Sequence, residues 1–232
     1  MLKISHRLKA IANLLTDGQT IVDIGTDHAY LLIHLIEEKK YAQAVGVDIH
    51  KGPYKAAIEN VAAHGLQDSI EIRLGDGLGP VSVDEMDRVA IAGMGGHTIC
   101  KILTEYPEKT DKIKQLVLQP QSSPERVRKL LLELGFGITN ECLIKEDKRL
   151  YLVLSASRET SIQELSWENL QIGPVLLENG SLYLVEYMGD MLHHKQFILN
   201  SLRQAKTNEQ EKMKALEDEI EKLGRLIERY ED

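Results

Sequence analysis

The chain has 232 residues, with 36 acidic against 28 basic side chains and a formal net charge of −8 at pH 7. That length can bury a core without disulfides or metal, and the two cysteines, Cys100 and Cys142, form no paired spacing that would suggest either. No apolar run approaches the roughly 18 residues a bilayer span needs, and the opening MLKISHRLKAIANLL lacks the apolar core and small-residue cleavage site of an export signal, so a reduced, cytoplasmic protein is expected.

Short β-branched runs alternate with helix-length amphipathic stretches through the first 160 residues. In chain order the expected strands are TIVDIGT (20–26), AVGVDI (44–49), SIEIRLGD (69–76), RVAIAGM (88–94) and QLVLQP (115–120). Residues 54–64 and 124–134 carry apolar side chains at helical spacing, and Pro124 suits a first helical turn with Ser123 as its cap. This alternation predicts a mostly parallel sheet with helices on both faces. The segment FGITNECLIKEDKRLYLVLSASR then reads as an antiparallel hairpin, turning at EDK and closing the sheet.

Beyond about residue 160 the periodicity becomes helical: Leu184, Met188, Met191, Ile198 and Leu202 share a face interrupted by Lys195. Met213, Leu216, Ile220, Leu223, Ile227 and Tyr230 follow steps of 3, 4, 3, 4 and 3, a heptad seam. Asn208, with Glu211 three residues on, would cap the second helix and make a helical hairpin. The expected division is a domain over 1–158 and a coiled-coil domain over 159–232. The first carries 20 basic and 21 acidic residues and the second 8 and 15, so the acidity lies in the tail. A near-neutral first part leaves room for the local positive surface a polyanion requires.

The strand ends carry the chemistry. The first ends in VDIGTDHAYL (22–31), where Gly25 turns the chain at the carboxyl edge of the sheet, the place where open parallel sheets bind ligands. A dinucleotide loop would place glycines where Asp27 and Tyr30 stand, and a carboxylate there repels a pyrophosphate. Asp27, with Asp23 inside the strand end, suits instead a cofactor with a positive amino-acid portion, such as S-adenosylmethionine. The second strand ends at Asp48, followed by Ile49, where a carboxylate accepts from both ribose hydroxyls. The third ends in GDGL, offering Asp76 to an adenine amino group and Gly77 for close backbone approach. Any one of these acids has a capping or solvated alternative; three successive strand ends point to a site. The fourth ends in IAGMGG (91–96), before His97 and Thr98. Enzymes that methylate exocyclic base amines often carry Asn-Pro-Pro-Tyr there; the glycines here suit a backbone-walled pocket for a flat base.

In this order, DIGTDHAYL, GDGL, IAGMGG, LQPQ and YLVLSA resemble the bacterial tRNA adenine-N1 methyltransferases that modify position 22, and the resemblance runs from ISHRL to the C-terminal heptads. It implies a Rossmann-like, doubly wound α/β methyltransferase sheet of seven strands with a C-terminal α-helical coiled-coil hairpin. Gly25, Asp27, His28, Ala29 and Tyr30 would form the cofactor loop, Asp48 and Ile49 the ribose site, Asp76 and Gly77 the adenine site, and Gly93, Met94, Gly95 and Gly96 the reaction loop. Leu32 stands where proline is expected after DHAYL, and Gln121 where asparagine is expected after LQP; the second keeps an amide but lengthens it.

On this resemblance the reaction is methyl transfer from S-adenosylmethionine to N1 of adenine 22 in tRNA. N1 carries a free lone pair, so in-line approach is the main requirement. Asp27, Met94 and Gly95 are the candidate catalytic residues, Asp27 facing the positive charge that develops on the base. N1 lies on the Watson–Crick edge, so the nucleotide must be extruded or its tertiary contacts loosened, with His28 and Tyr30 available to stack. Candidate RNA contacts are Gln121 and three basic clusters: Lys3, Arg7 and Lys9; Arg126, Arg128 and Lys129; Lys145, Lys148 and Arg149. The hairpin's Lys195, Arg203 and Lys206 are further candidates. No metal and no membrane are expected, and the chain would be a monomer or weak dimer. A methyltransferase for a small molecule or protein, or a non-catalytic scaffold acting through its coiled coil, are the alternatives.

Overall fold

The structure is a computed structural model that describes residues 2–160, 166–205 and 209–231. Helix α1 (His6–Leu14) is capped by Ser5, whose hydroxyl accepts from Leu8 N, and precedes β1 (Thr20–Ile24), α2 (Tyr30–Glu37), β2 (Gln43–Asp48), α3 (Lys51–Ala63) and β3 (Ile70–Leu74). A 3₁₀ turn at Val83–Glu85 leads to β4 (Arg88–Met94), α4 (Gly96–Glu105), the short α5 (Pro107–Thr110), β5 (Gln115–Pro120) and α6 (Pro124–Glu133). Then come β6 (Gly137–Glu146), β7 (Arg149–Ser157), α7 (Trp167–Gln171), α8 (Pro174–Asn179), α9 (Leu184–Gln204) and α10 (Gln210–Glu231).

The seven strands form one sheet in the order β3-β2-β1-β4-β5-β7-β6, parallel except at the pairings of β7 with β5 and β6. The sequence predicts the hairpin, but only the structure shows β7 inserted between β5 and β6. Its turn is Asp147-Lys148, with both residues left-handed (φ 48° and 63°), as a two-residue hairpin loop requires. All six β5 residues are buried, the signature of a strand covered on both faces. The sheet order reverses between β1 and β4, which opens a crevice at their carboxyl ends. Helix α1 lies against β6 and β7.

The chain divides into two compact units, Met1–Glu178 and Asn179–Asp232, so the first unit extends past the expected break after residue 158. Arg128 helps tie these added residues to the sheet, and it corrects an expectation: it is fully buried and cannot reach an RNA phosphate. Its Nε donates to Glu141 Oε1 at 2.8 Å, Nη1 donates to Leu170 O and Gln171 O, and Nη2 donates to Ile172 O at 2.7 Å. Glu141 Oε2 in turn accepts from Val175 N at 3.0 Å. A guanidinium on the last carbonyls of α7 satisfies acceptors the helix leaves orphaned, so α7 and the start of α8 are held by α6 and β6. Ser123 also departs from expectation: it is left-handed (φ 50°) and its side chain makes no cap bond, leaving Pro124 alone to start α6.

In the second unit α9 and α10 pair as the helical hairpin expectation has it, with Leu199, Leu223 and Leu226 buried; of these only Leu223 belongs to the expected seam, whose Leu216, Ile220 and Ile227 are partly buried. Lys195 Nζ meets Glu219 at 2.7 Å and Arg203 meets Glu217 at 2.6 Å. Two of the hairpin bases considered for RNA are thus paired with carboxylates of the second helix. Lys206 and the proposed cap Asn208 lie outside the described residues. No helix among the described residues is long and apolar enough to cross a membrane.

Candidate active site

The loop after β1 turns on more than one glycine. Gly25 (φ 78°), Asp27 (φ 51°) and Ala29 (φ 58°) are all left-handed, and Asp27 takes a conformation that a dinucleotide loop would give to glycine. Backbone bonds hold it: Gly25 N and Thr26 N donate to Val47 O at 2.8 and 3.0 Å, and Ala29 N donates to Thr26 O at 2.8 Å. A left-handed non-glycine residue is strained, and here it turns the Asp27 carboxylate outward, two-thirds exposed and 3.7 Å from His28 Nε2. The His28 and Tyr30 rings stack with centroids 5.3 Å apart, and Ala29 is buried beneath them as the α2 N-cap.

Asp48, nearly buried at the end of β2, accepts from Asp27 N at 3.3 Å and from His50 N at 2.8 Å. Asp23, deeper in β1, is buried, and burial together with the neighbouring Asp48 and Asp27 carboxylates pushes its pKa up to about 7. Gly75 N donates to Asp48 O at 3.0 Å, so the β3 end continues the same edge; there Asp76 is half exposed and 3.7 Å from Lys101 Nζ, and Gly77 (φ 51°) faces Ile102. Ile49 lies beside Asp48 with 54 % of its surface exposed. Asp27, Asp48 and Asp76 thus follow one another along adjacent strand ends.

The β4 end is built differently. Ala92 pairs with Gln119 and Met94 with Pro120, so Gly93 is an extra residue in the ladder, a bulge with φ 75°. Pro120 has no N–H to give β4; the Gly93 N–H donates instead to Gln119 Oε1 at 3.1 Å. Beyond the bulge, Gln121 N donates to Met94 O at 2.8 Å and Gly96 N donates to Ser122 O at 2.9 Å, stitching the loop before α4 to the loop before α6. A Cβ on Gly96 would lie 2.5 Å from Ser122 O and 2.6 Å from Ser123 O, so this glycine permits a backbone crossing rather than providing room for a base. The Met94 methyl occupies the space a Gly25 side chain would need, so the first and fourth strand ends touch.

Between these ends lies a cleft of about 330 Å³. Of the residues expected from sequence, Arg7, Gly25, Asp27, His28, Tyr30, Gly93, Met94 and Gln121 line it, with Asp23 and Thr26. Ala29, Asp48, Ile49, Asp76, Gly77 and Gly95 do not line it. Arg126, Lys129 and Arg149 are exposed. Arg7 is half-buried, its Nη1 donating to Gln119 Oε1 at 3.0 Å and its guanidinium 5.5 Å from the Tyr151 ring. The sequence reading missed Gln119; the available signal was a polar residue in a strand otherwise reading as core.

The cradle fits S-adenosylmethionine: a buried Asp23 and an exposed Asp27 face the cleft, as a cofactor bearing an ammonium and a sulfonium requires, and carboxylates at the loop disfavour a phosphate.

The family model TrmK, tRNA (adenine(22)-N(1))-methyltransferase, matches residues 21–225. The chain belongs to this family. It is 32 % identical to the Bacillus subtilis tRNA (adenine(22)-N(1))-methyltransferase, over 97 % of this chain and 98 % of that one. The crystal structure of the B. subtilis m1A22 enzyme superposes with a TM-score of 0.87 at 33 % identity, covering 98 % of this chain and all of the other. A Streptococcus pneumoniae relative solved with S-adenosyl-L-methionine gives 0.86 at 30 % identity, covering 97 % of this chain and all of that one. The Mycoplasma capricolum family member, solved with S-adenosyl-homocysteine, gives 0.83 at 27 % identity, covering 97 % of this chain and 98 % of that one. Family and fold are those the resemblance implies, and the cofactor is S-adenosylmethionine.

Proposed function

We infer that the protein methylates N1 of adenine 22 in tRNA with S-adenosylmethionine as donor, in the cytoplasm. The observation that carries this reading is the match over nearly the whole chain to the B. subtilis enzyme of that activity. The cleft is consistent with it, pairing an acid-lined loop with a neutral, backbone-built edge.

S-adenosylmethionine supplies an electrophilic methyl group. Asp48 would accept from the ribose hydroxyls, with its carboxylate already oriented by Asp27 N and His50 N. Asp76 and Ile49 would take the adenine end, the first as acceptor and the second as apolar cover. Asp23 and Asp27 would face the cofactor's positive groups.

On the acceptor side, Gly93, Met94 and Gln121 would border the target base, with His28 and Tyr30 offering a stacked aromatic surface. No side chain is required to remove a proton, because N1 attacks with a free lone pair. The methylated base is a cation; the Asp27 carboxylate stabilises charge developing there, and Met94 and Gly95 shape the approach. Extruding the base costs roughly a few kcal/mol, which phosphate contacts offset. Arg7 and Arg149 support that role together: His6 N donates to Glu146 Oε1 at 2.8 Å, which joins the start of α1 to the turn end of the hairpin, where Glu146 pairs with Arg149. Arg126 and Lys129 on α6 complete the proposed RNA surface.

A monomer or weak dimer is the state proposed, a reading supported by the burial of Leu199, Leu223 and Leu226 in the single chain. The test is methyl transfer to unmodified tRNA transcripts, with the modified nucleotide mapped by digestion and mass spectrometry. N1-methyladenosine at position 22 is expected; methylation elsewhere, or none, overturns the reading.

A further inference from the structure

Gln119 has no role in the chemistry described so far, yet it is fully buried at the cleft end of β5. Its single amide oxygen accepts two hydrogen bonds, from Arg7 Nη1 at 3.0 Å and from Gly93 N at 3.1 Å, while its Nε2 donates to Pro120 O at 3.3 Å. A carbonyl oxygen has two lone pairs, so both are in use. One donor is the permanent cation of the cleft lining; the other is the backbone of the loop whose next residue, Met94, packs on the cofactor loop. Arg7 also lies over Gly93, its Nη1 3.6 Å from where a Cβ would stand, and on its other side meets Tyr151.

This arrangement differs from the other buried glutamine on the same strand. Gln115 bonds Thr16 N, Leu14 O and Ser155 Oγ, all parts of the scaffold away from the cleft. Gln119 joins two groups that both line the cleft.

We propose that Gln119 is a positioning residue for methyl transfer: it sets the Arg7 guanidinium and the Gly93–Met94 backbone in one register, so that an RNA phosphate held by Arg7 places the extruded base against the methyl donor. The proposal rests on the tRNA methyltransferase reading. With one N–H spent on Gln119, a guanidinium keeps four donors for a substrate anion, and its fixed fork suits a phosphate. An arginine anchored to the reaction loop transmits the position of the phosphate to the base, whereas a free one would bind RNA without aligning it.

The test uses the full chain, unmodified tRNA transcript and S-adenosylmethionine. Gln119→Met keeps the length and removes the acceptor; Gln119→Glu keeps an acceptor for both donors; Gln119→Asn keeps the amide but shortens its reach. The methionine variant is expected to lose about 100-fold in kcat, with cofactor affinity by calorimetry within about twofold of wild type. The glutamate variant is expected to recover most of that loss, and the asparagine variant to resemble methionine. Combined with Arg7→Met, the methionine substitution is expected to add little to the loss from Arg7→Met alone, because the two act through one interaction. If the methionine variant loses its fold, the contrast between glutamate and asparagine decides the same question. Wild-type kcat in either the methionine or the asparagine variant overturns the proposal, as does an equal loss in all three that tracks thermal stability. A wild-type protein inactive on tRNA overturns the functional reading itself, and the proposal with it.

Discussion

The two sides of the cleft solve different problems with different materials. The β1–β2 side is built from charge: Asp23 inside β1, Asp48 at the end of β2, and between them Asp27 on a left-handed loop held by Gly25 N and Thr26 N on Val47 O and by Asp27 N on Asp48. The β4–β5 side is built from backbone: Gly93 bulges, Gly96 crosses beneath two carbonyls, and the loops before α4 and α6 are stitched by main-chain bonds. Its one lining arginine, Arg7, is borrowed from α1, and of the two arginines on α6 one, Arg128, is spent inside. A cationic donor must be recognised by fixed negative charge, while a flat neutral base needs shape and a place for its phosphate.

The largest effect should come from the arginine that serves structure. Arg128→Met leaves Glu141 buried without its partner, and breaking such a pair costs about 3–5 kcal/mol. Thermal and denaturant unfolding should register this. A stable variant with weakened, less salt-dependent tRNA binding would return Arg128 to the RNA surface and blur the division between the two sides.

Asp48→Ala should weaken S-adenosylmethionine binding by about 100-fold, roughly 3 kcal/mol, for two charge-assisted hydrogen bonds lost, while the protein stays folded. Calorimetry reads this directly, and an unchanged affinity would mean that charge at the β2 end does not hold the donor.

On the other side, Gly96→Ala forces a methyl against Ser122 O and Ser123 O and should destabilise by about 2 kcal/mol, with cofactor affinity retained. A neutral result in unfolding would show that the crossing of the two loops can relax.

The smallest effect is a pH dependence carried by Asp23, whose pKa is raised from 3.8 to about 7 in the folded protein. The folded state holds this proton more tightly than the unfolded chain. The group's contribution to stability is therefore fully present below pH 3.8 and is lost as pH rises through about 7. A cationic cofactor favours the ionised form, so affinity should move the opposite way, rising about tenfold between pH 6 and pH 8 and levelling above. Asp23→Asn should flatten that profile; a profile unaltered by the substitution would remove Asp23 from the cofactor site.

Much of the fold was legible in the sequence because its signals are local. β-branched runs separated by amphipathic segments predict the strand order along the chain, and a heptad seam predicts the helix pair whatever the rest of the molecule does. Asp27, Asp48 and Asp76 could be read as candidates because each stands at or within three residues of a strand end, and the sheet carries consecutive strand ends to one edge. Arg128 could not be read correctly: an arginine on an amphipathic helix looks the same whether it faces water or a buried glutamate thirteen residues away. Ser123 misled for a related reason, since its side chain is suited to capping but its left-handed backbone forgoes the bond.

The sequence by itself determined the alternation of elements, the acidic character of the donor loop and the glycines of the fourth strand end, all of which depend on residue type and spacing. Tertiary structure decided which charges are available. It buried Arg128, paired Lys195 and Arg203 with α10, and brought Arg7 across 112 residues of chain to Gln119, beside Gly93. The cause is that a charged side chain's role is set by its partner and its exposure to water, and both come from parts of the chain distant in sequence.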